Sequence, residues 1–91
     1  MAVIAVFLKI DEERLVPALQ EAGEKVDHAD SEVVLDFSAV RRIDASALRA
    51  METLAGIAEA KSVKVGLRGV NIDIYKVLKL VKLASRFTFL T

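Results

Sequence analysis

The sequence predicts an α/β domain of two layers, a mostly parallel four-stranded sheet carrying three helices on one face and wound as a β-α superhelix. Three observations carry this expectation. Apolar, β-branched runs alternate with segments of helical apolar spacing to give β-α-β-α-β-α-β, and helical crossovers imply parallel strands. The three later strands alternate apolar with polar residues, so they bury one face strongly; a sheet covered by helices on both sides would read apolar throughout. Right-handed crossovers then keep every helix on one side only if the strands are laid down in sequential spatial order.

The elements follow in order. Val3-Ile4-Ala5-Val6-Phe7-Leu8 is a continuous apolar run that reads as a strand buried on both faces. Asp11 suits the N-cap of the next helix, with Glu12 and Glu13 in a first turn that favours carboxylates. Leu15, Leu19, Ala22 and Val26 recur at helical spacing; Pro17 requires a distorted start or a regular helix beginning nearer Arg14, and Gly23 weakens the end. Asp27 to Ser31 is a polar connection. Val33, Leu35 and Phe37 form the inner side of a second strand. Plotted at about 100° per residue from Ser46, the following helix sorts Ile57, Ala50, Leu54, Ala47, Ala58, Met51, Ala55 and Leu48 into one apolar arc. Ser46 lies on the seam between that arc and the polar face. Val63, Val65 and Leu67 make a third strand, and Gly69-Val70-Asn71 turns into a helix striped by Ile74, Val77, Leu78 and Val81. That helix is expected to end near Val81 so that Leu83 folds back onto the core. Phe87 and Phe89 flank Thr88 in a last strand. The face away from the helices would carry Ile4, Val6, Leu8 and Val34, or the opposite set of the first strand, and invites a homodimer or a docked partner.

Ninety-one residues make one domain, 1–91, and 54% hydrophobic content with only 5% aromatic makes its core aliphatic. The chain has no cysteine, which excludes a disulfide framework, thiolate chemistry and a cysteine zinc site. Residues 2–8 are too short an apolar run to span a bilayer and lack the basic flank of a signal peptide, so a cytoplasmic protein without membrane insertion is expected. Net zero charge conceals an asymmetry. Residues 1–60 carry 6 Lys/Arg against 12 Asp/Glu, a net −6, and residues 61–91 carry 7 against 1, a net +6. Balance within the fold is the simplest reading of these blocks. Lys76, Lys79 and Lys82 line one side of the last helix; a neutral domain without an aromatic stacking platform argues against nucleic acid.

The stretch Val34-Leu35-Asp36-Phe37-Ser38-Ala39-Val40-Arg41-Arg42-Ile43-Asp44-Ala45-Ser46-Ala47-Leu48 resembles the STAS domain family, whose mark is a hydrophobic strand carrying Asp-Leu-Ser, a short spacer, then Asp-Ser-Ser-Gly-Leu opening a helix. Asp44, Ser46 and Leu48 match; Ala45 replaces the first serine and Ala47 the glycine. Ile10-Asp11 looks like the family's Leu-Asp before the first helix, and Asn71 to Phe87 follows its terminal helix. Lys82 falls where the family's usual helix-ending glycine stands, and a lysine resists the left-handed conformation such an end requires. The family includes anti-sigma factor antagonists, stressosome components and a small accessory subunit of lipid-transport ABC complexes. In the antagonists the second motif serine, here Ser46, is phosphorylated by a kinase that is also the anti-sigma factor. Phosphate abolishes binding. By the same match Asp44 and Asp11 are the acidic positions near the phosphorylation site. The helix and its leading turn form the partner face, which implicates Arg41, Arg42, Ala45, Ala47, Arg49, Ala50, Thr53 and Ile57.

Taken from the residues alone, Ser46 is a helix N-cap, and Asp11 and Asp44 are caps too rather than a catalytic pair. Arg41 and Arg42 either dock an acidic partner or are a solvated turn. His28 has no second ligand for a metal, and Gly66-Leu67-Arg68-Gly69 is neither a P-loop nor a dinucleotide fingerprint. No catalytic residue, metal or cofactor is expected. The expectation is a non-enzymatic interaction module that binds an anti-sigma-type serine kinase, or, as the alternative, the ATPase of an ABC lipid transporter or a stressosome-like assembly.

Overall fold

Strands β1 (Val6–Lys9), β2 (Glu32–Asp36), β3 (Lys64–Arg68) and β4 (Thr88–Leu90) pair in parallel in the order β1-β2-β3-β4, with helices α1 (Leu15–Asp27), α2 (Ala45–Lys61) and α3 (Ile72–Leu80) in the crossovers. The computed structural model describes residues 6–29 and 32–90. The fold is the two-layer β-α superhelix that the alternation of strand and helix patterns predicts. Val3, Ile4 and Ala5 of the expected first strand lie outside the described residues.

Register decides which side of each strand meets the helices. Val6 pairs with Val33 and Leu8 with Leu35, and Val33 and Leu35 are fully buried in the core. Val6 and Leu8 therefore face the helices, and the open side of β1 carries Phe7, which pairs with Val34 and is 53% exposed, so the strand is not buried on both faces as its unbroken apolar run suggests: no layer among the described residues covers that side. This selects the opposite set of the first strand and removes Val6 and Leu8 from the open face. Further along that face Val34 pairs with Gly66, and the Leu90 side chain lies where a Cβ on Gly66 would come within 3.0 Å of its Cδ1.

The helix starts differ from simple capping in one instructive way. Residues Glu12–Arg14 form a 3₁₀ turn capped by Asp11, whose carboxylate accepts the Glu13 N–H at 3.0 Å, and α1 begins only at Leu15. Pro17 thereby falls in the first turn of α1, where its missing N–H is one the helix would not use. Gly23 does not mark the helix end. It is buried against α2, where an added Cβ would meet Ile57 Cδ1 at 3.3 Å. On α2 the buried residues are Ala47, Met51, Leu54, Ala55 and Ala58, the middle of the expected arc, with Leu48, Ala50 and Ile57 half-buried at its edges.

Both later helices end in the same hydrogen-bonded device. After α2 the Val63 N–H reaches Ala58 O at 2.9 Å with Ser62 at φ 56°; after α3 the Leu83 N–H reaches Leu78 O at 2.8 Å with Lys82 at φ 64°. Each is a Schellman ending with a non-glycine residue in the left-handed position. Lys82 adopts the conformation expected to resist it because Leu83, 3% exposed, is drawn back into the core. A further 3₁₀ turn, Ala84–Arg86, follows, and Arg86 makes a bidentate pair with Glu59 at 2.7 and 2.8 Å, tying the approach to β4 onto α2.

Two substitutions separate required from tolerated left-handed residues. Gly69 has φ 72°, and a Cβ there would lie 2.9 Å from Ser38 Cβ and 3.0 Å from its Cα and N. Gly69→Ala is expected to lower stability by about 2–3 kcal/mol in urea denaturation, from left-handed strain and overlap together. Lys82→Gly is expected to raise it by about 0.5–1 kcal/mol, because strain relief exceeds the added unfolded-state entropy.

Candidate functional site

The segment from Phe37 to Asp44 crosses the C-terminal edge of the sheet with few ladder bonds of its own, so its backbone polar groups need partners from elsewhere. Phe37 and Val40 anchor it in the core, and their own turn is closed by the Val40 N–H donating to Phe37 O at 2.9 Å. At its start the Asp36 carboxylate accepts the Ser38 N–H at 2.9 Å. That bond, the Ser38 hydroxyl, and the charges of Arg68 and Lys9 hold the Asp36 carboxyl below the usual aspartate range. The Phe37 N–H donates to Arg68 O at 2.7 Å, fastening the segment to β3.

Its far half is gripped from both sides. Glu12, in the 3₁₀ turn before α1, accepts the N–H groups of Arg41 and Arg42 on one carboxylate oxygen at 2.6 and 3.0 Å. Asn71 caps α3 by accepting the Ile74 N–H at 2.8 Å, and its amide donates to Arg41 O at 3.1 Å and Val40 O at 3.4 Å. The peptide groups of Arg41 are thus held by one acidic and one amide side chain from two different crossovers. Their side chains are left free: Arg41 and Arg42 are both exposed.

Asp44, not Ser46, is the N-cap of α2. Its carboxylate accepts the Ala47 N–H at 2.8 Å, and its carbonyl accepts the Leu48 N–H at 3.0 Å. The capping role read for Ser46 is therefore already filled. Ser46 is the second residue of the helix and exposed, and no hydrogen bond among the described residues uses its hydroxyl. Arg49 and Ala50, three and four residues on, share its side of the helix. Arg49 is exposed, as is Thr53, whose hydroxyl donates to Arg49 O at 3.1 Å.

The remaining expected contact residues divide by burial. Ala45 is exposed. Ala50 and Ile57 are half-buried and line a groove between α1 and α2 with Leu19, Gly23 and Glu24. Ala47 is fully buried, its methyl packed inward because it sits in the middle of the apolar arc, so it offers a partner no side chain. The alanine that replaces the motif glycine is thus a core residue. Asp11 spends its carboxylate on Glu13, and the cleft beside Asp44 is walled instead by Glu12, Glu13, Val16, Arg41 and Arg42. Glu12 and Asn71 are the two site-building residues missed in the sequence. The Asn71 cap had a signal, a polar residue before an apolar stripe; its reach to residues 40 and 41 had none.

What the arrangement offers chemically is an exposed hydroxyl on a charged shoulder. Arg41, Arg42 and Arg49 are exposed and near it in the chain, interspersed with the carboxylates of Asp44, which caps the helix, Glu12, which holds the turn, and Glu13. No group of three or more His, Cys, Asp or Glu that could hold a metal occurs among the described residues.

Comparisons with known proteins come to the same shape. A family model described as Mlab, STAS domain, matches residues 5–90. No curated protein matches the sequence. A crystal structure of a Thermotoga maritima protein assigned as an anti-sigma factor antagonist superimposes with TM-score 0.74 at 15% identity, covering 97% of this chain and 81% of that one. At that identity the likeness is one of fold.

The grip on the turn is pH-dependent in a known direction. The Arg41 and Arg42 amides, with a smaller effect from their charges, hold the Glu12 carboxyl below the usual glutamate value. A lowered folded-state value means the contribution is complete above the unfolded glutamate value and lost as pH falls through the folded one. In NMR titrations the Arg41 and Arg42 amide resonances are expected to shift with a midpoint below that of an ordinary glutamate. Glu12→Gln is expected to abolish that transition and to speed hydrogen exchange at both amides.

Proposed function

We propose, from the premise that this chain belongs to the STAS domain family, that it is a non-enzymatic regulatory module of the cytoplasm. It docks a protein partner through the clamped turn and the exposed front of α2. Phosphorylation of Ser46 releases that partner, in the manner of an anti-sigma factor antagonist and its serine kinase. The observation that carries the reading is the exposed and unengaged hydroxyl of Ser46, with capping done by Asp44.

The physics of the switch follows from the neighbours. A phosphoryl group adds roughly −1.5 to −2 charge and three acceptor oxygens. Placed on Ser46 it meets the helix N-terminus, which tolerates an anion, so the fold survives. Arg49, on the same side of the helix, turns toward the new phosphate, and Asp44 repels it outward. A surface that offered arginines to an acidic partner then presents an anion. Binding is lost by charge reversal at the docking face, with α2 still helical.

The second reading is an accessory subunit that binds a transporter ATPase or a stressosome-like assembly through the same face without phosphorylation. The description under which the family model matches favours it, as does Ala45 in place of the first motif serine. No helix among the described residues is long and apolar enough to cross a membrane.

Purified protein incubated with ATP and the anti-sigma-type kinase of the same genome is expected to take up one phosphoryl group, and Ser46→Ala none. Calorimetric titration with that kinase is expected to give near-unchanged affinity for Ser46→Ala and a loss of about tenfold or more for Ser46→Asp. Equal affinity of the two variants would overturn the switch, and tight binding of both to a transporter ATPase would establish the second reading.

A further inference from the structure

We propose that the outer ridge of α3 is a docking surface for the anionic headgroup layer of a phospholipid membrane. Four large hydrophobic side chains are exposed among the described residues, and three belong to this helix and its end: Ile72 at 64%, Leu80 at 83% and Val81 at 45%. Ile72, Lys76 and Leu80 follow one another at four-residue spacing and form a single row along the helix. Ile74 and Leu78 hold the opposite side in the core, so the row is displayed on a fixed base.

Lysines frame the row. Lys76, Lys79 and Lys82 are all exposed, and no ion pair among the described residues engages them. The acidic first half of the chain, which a simple charge-balance reading assigns as their counterweight, does not reach them. The ion pairs that do form use Lys61 with Asp27 and Arg86 with Glu59. Beside the row lies a hollow lined by Tyr75, Lys79, Lys82, Ser85 and Phe89, so two of the lysines border a single depression.

The kind of cation favours a membrane over an acidic protein. Lysine is depleted from protein interfaces, where arginine and aromatic residues are enriched. At a bilayer surface its long stem lies along apolar neighbours while the ammonium stays among the headgroups. Three of the six arginines, Arg41, Arg42 and Arg49, lie instead near Ser46 in the chain. A convex row with one or two inserting leucine-sized side chains also fits a deformable layer, where a protein partner would need a matching groove. The contact would be superficial and reversible, and would present the Ser46 shoulder at a fixed angle to the membrane.

The test is co-sedimentation of the full chain with vesicles of equimolar phosphatidylglycerol and phosphatidylcholine, against vesicles of phosphatidylcholine alone. The expected result is binding to the anionic vesicles only, weakened by salt. Lys76→Gln/Lys79→Gln is expected to lower the partition coefficient on the order of 30-fold. Leu80→Ser, at a side chain that contributes little to the core, is expected to lower it about tenfold with the charge unchanged. Lys25→Gln/Lys64→Gln, which removes the same charge elsewhere, is expected to leave it within twofold or so. Equal effects of the two lysine pairs, undiminished binding of Leu80→Ser, or no binding to anionic vesicles would each overturn the proposal. The last would leave an acidic protein surface as the occupant of the ridge. The assay contains no kinase or ATPase, so its outcome is independent of the role assigned to Ser46.

Discussion

The arrangement of this domain depends on how eight residues of non-repetitive backbone, Phe37 to Asp44, are held at the edge of the sheet. A loop with unpaired peptide groups would move, and the start of α2 would move with it. Glu12 and Asn71 prevent this by gripping the same peptide neighbourhood from opposite sides, one by accepting and one by donating. Because each comes from a different crossover, the loop also reports on the relative placement of α1 and α3. The turn that leads to Ser46 is therefore held by side chains from two crossovers, and pre-ordering of this kind reduces the ordering cost of binding a partner.

Much of the fold was legible because the strands and helices announce themselves by period. The α2 arc centred on Met51 and Leu54 is buried where the helical plot puts it, and the Val33-Leu35 side of β2 faces the core as alternation requires. What periodicity could not supply was the pointing of β1, an unbroken apolar run with no phase; only pairing with Val33 and Leu35 fixes it. The site was less legible. Ser46 and Asp44 both look like caps in sequence, and the choice between them is a matter of one residue of helix phase. Glu12 is indistinguishable in sequence from any first-turn carboxylate, since its partners lie about thirty positions away. Ala47 looked like surface because the motif it replaces was read as surface, yet its own place on the helical arc already predicted burial.

Two groups of exposed cations of different chemistry emerge from a chain with no net charge. Around Ser46 the positive groups are guanidinium, flat and multidentate, suited to directional pairing with carboxylate or phosphate. On α3 they are ammonium groups spaced between exposed aliphatic side chains. The zero sum over the chain hides this division, because charge is separated by element rather than by residue count.

The order β1-β2-β3-β4 has a consequence for how the protein is made. Each strand after the first is added beside the strand of the preceding unit, as Val33 is beside Val6, Val65 beside Val33 and Thr88 beside Gly66. No strand waits for a later segment to be inserted between it and its neighbour. A chain leaving the ribosome can add one β-α unit at a time to an existing edge, but each parallel pairing joins residues 22 to 32 positions apart, so the sheet grows through non-local contacts and its leading edge stays open until the next unit docks.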